Sequence, residues 1–389
     1  MDEHASSPAI AETPTAEPAL ATTPLDALHR RLGARMAPFA GYSLPLHYPS
    51  GVIAEHLHTR EKASLFDVSH MGQALLTGRG AARLLETLVP ADLESLTPGR
   101  TRYTQLLAED GGILDDLMAT RLPGREERLL LVVNAAAKEQ DFALLGQELP
   151  QLSLTVLAGR ALLALQGPRA ASVLSRILPG VEEAPFMGWV ATEYDGASAF
   201  VSRSGYTGED GFEISIPGHL ATGLFERLLA HEDVAPAGLA ARDSLRLEAG
   251  LCLYGHDIDA TTDPVEAGLL WSIGKRRREE GGFPGFARIR AAIDNGPARR
   301  RVGLLPQSKA PLRDGAILTA PDGRVVGGVT SGGYSPCLSR PIAMGYAESA
   351  FAAPGVRLAS ELRGKPVEVE VAALPFVPHR YASRGKGRA

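Results

Sequence analysis

The chain has 389 residues, 44% hydrophobic and 22% charged, the balance of a globular protein with apolar material for more than one core. Its formal net charge of -5 gives no reason to expect a nucleic-acid partner, and no run approaches the roughly 18 consecutive apolar residues a membrane span needs. Cys252 and Cys337 lie far apart with no CxxC spacing and no histidine cluster nearby, so neither a disulfide framework nor a metal site is expected, and a reducing cytoplasm fits.

Residues 1–22 are rich in Ala, Pro, Ser and Thr and carry Asp2, Glu3, Glu12 and Glu17 without Lys or Arg. That matches neither a secretory signal nor a mitochondrial presequence and predicts a disordered tail, with order beginning near Thr23. Leu25, Leu28 and Leu32 have helical spacing, and Pro38 to Tyr42 breaks the helix into a glycine turn. Gly80 to Leu88 reads as a short amphipathic helix, Leu129 to Val133 as a buried strand, and Ala135 to Leu145 as the helix after it. Ala161 to Pro168 reads as a strand whose Gly-Pro leads into a helix over Arg169 to Leu178. The strands Ala199 to Arg203 and Phe212 to Ile216 flank a glycine-rich hairpin, Gly205 to Gly211, and helices follow at His219 to Leu229 and Leu239 to Leu251. From Arg299 short strand-like runs alternate with Gly and Pro turns, predicting a small all-β module. Strands and helices mix without regular βαβ alternation, so the expected class is α+β.

Three places carry candidate chemistry. Asp115 and Asp116 stand between the turn Gly111-Gly112 and an apolar strand, and alternation sends them to opposite faces, one to solvent and one to an interior cleft. A cleft carboxylate can accept a proton or stabilise a developing cation, although the same pattern fits a plain strand-edge turn. In the hairpin, Tyr206 offers a ring for stacking, and Glu213 can accept two parallel hydrogen bonds from a planar ring with adjacent N–H donors, or sit solvated. Arg242 and Arg246 share a helix face by their i,i+4 spacing, as a carboxylate-binding pair or a solvated ion-pair face. His70 is a candidate base that fits a structural role better, and the basic run Lys275 to Arg278 is a solvated face or a dock for an acidic protein. No G-x-S-x-G, Walker loop or strand-borne G-x-G-x-x-G is present, which argues against serine hydrolases, P-loop enzymes and Rossmann oxidoreductases.

Taken in order, Thr23-Pro24-Leu25, Phe39 to Pro45, Leu65 to Met71, Gly111 to Leu117, Leu165 to Pro168, Gly205 to Glu213, Ala240 to Glu248, Tyr254 to Asp257, Thr330 to Gly332 and Pro375 to Pro378 resemble the aminomethyltransferase family of the glycine cleavage system, over roughly residues 23 to 382. The resemblance implies a three-lobed, cloverleaf-like fold with a central folate channel and a C-terminal β-barrel. It implies a first folate-binding lobe from 23–71 and 157–242, a second lobe from 72–156 and 243–296, and the barrel at 297–389. It implies transfer of a one-carbon unit from the aminomethyl-lipoyl group of an H-protein to tetrahydrofolate, with release of ammonia and no metal, nucleic acid or membrane involved. By similarity Asp116 is catalytic, and Met71, Tyr103, Asn134, Tyr206, Glu213, Arg242, Trp271 and Tyr381 contact folate, with Arg380 a weaker candidate. Thr120 stands where the family often has a tyrosine, and Tyr42 where tryptophan is commoner. Folate-dependent demethylases and a folate-binding factor for iron–sulfur assembly share the scaffold. The Asp115-Asp116 pair favours aminomethyl transfer, and Cys252 lacks the Lys-Gly-Cys-x-x-Gly-Gln-Glu context of the iron–sulfur class.

Overall fold

In the computed structural model, which describes residues 19–382, the apolar runs assemble into four sheets. A six-stranded open sheet orders its strands Trp189–Tyr194, Ala197–Ser202, Gly211–Pro217, Arg160–Gln166, Ala63–Asp67 and Val234–Pro236. Strand Arg160–Gln166 is covered on both faces, which is why it reads as an unbroken apolar run. Its odd residues Leu163 and Leu165 enter a core with Val173, Leu174, Leu224, Phe225 and Leu228 from two helices. Its even residues Leu162 and Ala164 enter a second layer with Phe66, Val68, Ala241 and Leu245. Asp67 ends the neighbouring strand and ties the N-terminal segment to it, accepting from Thr23 Oγ1 at 2.6 Å and facing His29 Nε2 at 2.9 Å.

The second sheet orders Arg100–Leu107, Ile113–Arg121, Arg128–Val133, Gly72–Thr77 and Ser153–Val156. Its core side is filled by Leu117, Ala119, Leu129, Leu131 and Val133 against Leu85 and Leu145 of the helices Ala81–Leu85 and Lys138–Glu148. Backbone bonds Thr101 N–H to Met187 O and Trp189 N–H to Gly99 O, both 2.9 Å, stitch the two sheets together. The strands of residues 299–372 close into a six-stranded barrel packed around Val302, Leu304, Val329, Ala343, Val369 and Val371. The mixed α+β class and the C-terminal barrel expected from sequence are therefore observed.

Several boundaries differ from expectation. Ala21–Thr22 is not tail but a strand paired in parallel with Tyr42 and Ser43, while residues 1–18 of the predicted tail lie outside the described residues. The helix expected to reach Leu251 is Leu239–Glu248, because Gly250 at φ +65° turns the chain. There Leu251 N–H bonds Arg246 O and Gly250 N–H bonds Leu247 O, the double cap that a left-handed glycine permits. The helix expected over Arg169 to Leu178 is only Ala170–Leu174, continued by single turns. The hairpin is not tight: its strands pair only from Ser202 to Glu213 outward, and the loop between buries Thr207 and Glu209.

Candidate active site

Strand Ile113–Arg121 starts where Gly112 passes so close to Ala260 that a Cβ would sit 1.9 Å from its carbonyl oxygen. Only glycine fits there. From that start alternation sends Asp115 to the core side, fully buried, and leaves Asp116 half-buried on the other. Neither is simply solvated, contrary to the sequence expectation. Asn134 follows strand Arg128–Val133 where Val133 pairs with Leu117, and its amide reaches both carboxylates. Nδ2 donates to Asp115 Oδ1 at 2.8 Å and to Asp116 Oδ1 at 2.7 Å, and the backbone N–H donates to Asp115 Oδ2 at 3.0 Å. Tyr103, diagonal to Asp116 on the adjacent strand, donates its hydroxyl to Asp116 Oδ2 at 2.8 Å. Burial, then the charge of Asp115, raises Asp116 from the usual carboxylate range to about 7. Asp116 can thus hold or release a proton near neutrality.

The remaining predicted residues gather around this carboxylate to different degrees. Trp271, 62% exposed, stacks on Tyr103 with ring centroids 5.3 Å apart. Tyr206 feels the charge of Asp116, donates its hydroxyl hydrogen bond to Cys252 O, and lies under the Arg242 guanidinium at 4.9 Å. Arg242 in turn interacts with the charge of Glu213, and its Nη1 is buried with no hydrogen-bond partner among the described residues. Glu213 Oε2 accepts from Ser204 Oγ at 2.8 Å. Glu213, Met118, Thr120, Val132, Gln73 and Ser215 line one pocket between the two sheets, and Met71 packs on the apolar layer of Phe66 and Leu245 beside it. Tyr381 is placed apart. It stacks on Phe186 at 4.2 Å, with Arg60 and Glu209 as its charged neighbours. Arg380 joins Glu209 at 2.6 Å and Arg60 O at 2.7 Å. Thr120 bonds Thr101 rather than offering a ring.

Sequence reasoning missed Asp141, which is buried beside Asp115, and Ser204, which fixes Glu213. Asp141 carries no local motif, and only the packing of its helix on the sheet brings it to Asp115. Arg246, paired by spacing with Arg242, instead bridges Asp243, Asp257 and Ser331 and ties its helix to the barrel. His70 is buried, its proton affinity lowered by that burial, and its ring packs on Phe39. The arginines of the basic run are engaged within the chain: Arg276 bonds Glu86 and Asp92, Arg277 bonds Glu86 O, and Arg278 bonds Leu270 O and Ile273 O. His56, Glu248 and Cys337 bring possible ligand atoms within 4.8 Å of one another, but Arg60 donates to Glu248 at 2.8 Å, where a cation would be opposed. Among the described residues no helix is long and apolar enough to cross a membrane.

Comparison with known proteins agrees with this geometry. Residues 25–277 match the GCVT N-terminal domain and residues 299–378 the glycine cleavage T-protein C-terminal barrel domain. The chain is 48% identical over 370 residues to the mitochondrial aminomethyltransferase of Gallus gallus, covering 93% of this chain and 94% of the relative. It is 44% identical over 372 residues to the probable mitochondrial aminomethyltransferase of Schizosaccharomyces pombe, covering 94% and 95%. The crystal structure of glycine cleavage system aminomethyltransferase T from Bartonella henselae superposes with a TM-score of 0.89 at 46% identity, over 94% of this chain and all of that one. The relatives named mitochondrial overturn the cytoplasmic expectation. Unpaired thiols report a reducing environment rather than a compartment, and an acidic composition does not by itself assign one. With both domain models matched in order and the strand Ile113–Arg121 presenting its carboxylate pair, the chain belongs to the aminomethyltransferase family of the glycine cleavage system.

Proposed function

We propose that the chain transfers the methylene carbon of an aminomethyl group, carried on the lipoyl sulfur of an H-protein, to tetrahydrofolate. The carbon exchanges its bonds to nitrogen and sulfur for bonds to two folate nitrogens. The two protons those nitrogens lose leave on ammonia and on the dihydrolipoyl thiol. The observation that carries this reading is Asp116, a half-buried carboxylate raised to about 7 and held by two neutral donors, Tyr103 and Asn134. Its charge is not neutralised by a partner cation in that clasp, so it can act on positive charge as it develops at the transferring carbon.

Folate fits the chemistry around it. Glu213 lines the pocket between the sheets with one oxygen fixed by Ser204, and the orphaned Nη1 of Arg242 supplies a donor that the described residues leave unused. Tyr206, Trp271 and Met71 supply flat and apolar surface for a fused ring. Tyr381 and Arg380 serve the outer end of the ligand. Asn134 orients Asp116 through its Nδ2, which donates to both aspartates, beside its proposed contact with folate. The three lobes proposed from sequence, 23–71 with 157–242, 72–156 with 243–296, and 297–389, place this site where the first two meet. The test is single-turnover ammonia release from aminomethylated H-protein with and without tetrahydrofolate. Release that needs both, with methylene-tetrahydrofolate forming in step, supports the reading. Folate binding without release rejects it.

A further inference from the structure

The proposed reaction makes no use of Asp141, yet its placement is chemically demanding. It lies on the helix Lys138–Glu148, 1% exposed, and among the described residues neither of its carboxyl oxygens meets an N–H or O–H donor. It lies within hydrogen-bonding reach of the buried carboxyl of Asp115. Two ionised carboxylates in that contact repel, so a proton resides between them. Asp115 accepts two hydrogen bonds from Asn134, at 2.8 and 3.0 Å, which favour its ionised form. Asp141 has no such donors, so the proton sits on Asp141 and its O–H donates to Asp115.

We propose that Asp141 is a positioning residue for the transfer reaction, a buried carboxylic acid that clamps Asp115 and, through Asn134, fixes Asp116. This rests on the reading of Asp116 as the reacting carboxylate. The chain of contacts is continuous: Asp141 holds Asp115, Asp115 holds Asn134 by its backbone and side-chain N–H groups, and Asn134 holds Asp116 at 2.7 Å. The clamp also keeps the Asp115–Asp141 pair at a single negative charge. Both acids are raised, chiefly by burial, and Asp141 by the neighbouring charge of Asp115 as well. At alkaline pH the shared proton is lost, the two carboxylates separate, and Asn134 loses its anchor. The other groups facing the pair are Asp116 on the same strand as Asp115 and Tyr254, whose hydroxyl is raised to about 12 by burial and these carboxylates and so stays protonated. Lys138, on the same helix, directs its ammonium to Tyr42 and the carbonyl of His70 instead.

The experiment compares wild type with Asp141→Ala and Asp141→Asn, full chains, by single-turnover ammonia release across pH and by infrared difference spectra. Asp141→Ala is expected to lower turnover about tenfold or more with the folate KM near native, because a hydrogen bond to a charged group is lost. Asp141→Asn, whose amide donates as the acid did, is expected to restore most of that loss and to lack the alkaline fall of wild type. The spectrum at about pH 8, where free carboxylic acids are ionised, is expected to show a protonated carboxyl band in wild type that both variants lose. Native turnover in a folded Asp141→Ala, an unrestored Asp141→Asn, or no such band in wild type overturns the proposal. If Asp141→Ala does not fold, Asp141→Asn and the band decide it. Asp116→Asn separates the two readings: activity without Asp116 rejects the reaction mechanism, while the carboxyl band still tests the Asp141 clamp.

Discussion

Two clusters of buried charge in this molecule follow opposite rules. Around Glu248, every acceptor is met: Oε1 takes Ser335 Oγ at 2.5 Å and Cys337 N–H at 3.1 Å, and Oε2 takes Arg60 at 2.8 Å and faces His56 at 3.0 Å. Despite full burial, Glu248 is held down at about 2. Around Asp116, burial adds to the charge of another acid, the donors are neutral, and the carboxyl rises to about 7. The first cluster joins the helices Val52–Glu61 and Leu239–Glu248 to the barrel, and the second faces the pocket side of its sheet. Matched buried charge holds parts together, while unmatched buried charge keeps a group reactive.

The comparison breaks most visibly at Asp116. Asp116→Asn is expected to lower turnover about a hundredfold or more while folate affinity, measured by titration, stays close to native. Equal activity would put Asp116 with the structural charges. Next, Glu248→Ala strips His56 Nε2 of its acceptor, leaves Glu209 as the remaining buried carboxylate on Arg60, and is expected to cost about 3–5 kcal/mol in denaturant unfolding. A loss below about 1 kcal/mol would show that the network adds no cohesion.

pH sharpens the contrast because the two shifts have opposite signs. Glu248, lowered from 4.5 to about 2, contributes stability that is present above about pH 4.5 and fades as pH falls toward 2. Asp116, raised from 3.8 to about 7, favours the fold while protonated, and that contribution is lost as pH rises through 7. Turnover that needs the ionised form should rise with pH through about 7, and Tyr103→Phe, which removes a donor to that form, should move the rise upward and lower neutral turnover a few-fold. An unmoved profile in Tyr103→Phe would assign the limb to another group. Asp116→Asn should also raise the melting temperature by roughly 1–3 °C above neutral pH, since the costly charge is gone. The smallest effect is expected at Arg276. Its pairing with Glu86, Asp92 and Glu280 leaves no free charge for a partner, so Arg276→Ala should cost about 0.5–1 kcal/mol and leave the salt dependence of H-protein association unchanged.

Legibility from sequence followed the range of the forces involved. Strands such as Arg128–Val133 and Arg160–Gln166 were readable because burial on both faces writes an apolar run directly into the chain. The importance of Asp116 came from an ordered set of short motifs, and alternation alone predicted that Asp115 and Asp116 part company. It did not predict that one amide, Asn134, would reach both, because that depends on where a neighbouring strand ends. Asp141 and Ser204 were invisible for the same reason: each matters only through a contact made by tertiary packing. Arg246 was not legible as a tie to the barrel, because charge spacing on a helix shows which residues share a face and not what the face meets.

One feature of the C-terminal end bears on the order in which the molecule is made. Arg380 N–H bonds Gly208 O at 2.7 Å and its side chain joins Glu209, so residues next to Tyr381 fasten the loop that precedes Glu213. That loop is translated some 170 residues earlier. A nascent chain that has not yet released Arg380 from the ribosome therefore holds the loop before Glu213 without this fastening. The clasp makes the loop before Glu213 wait on a segment translated long after it.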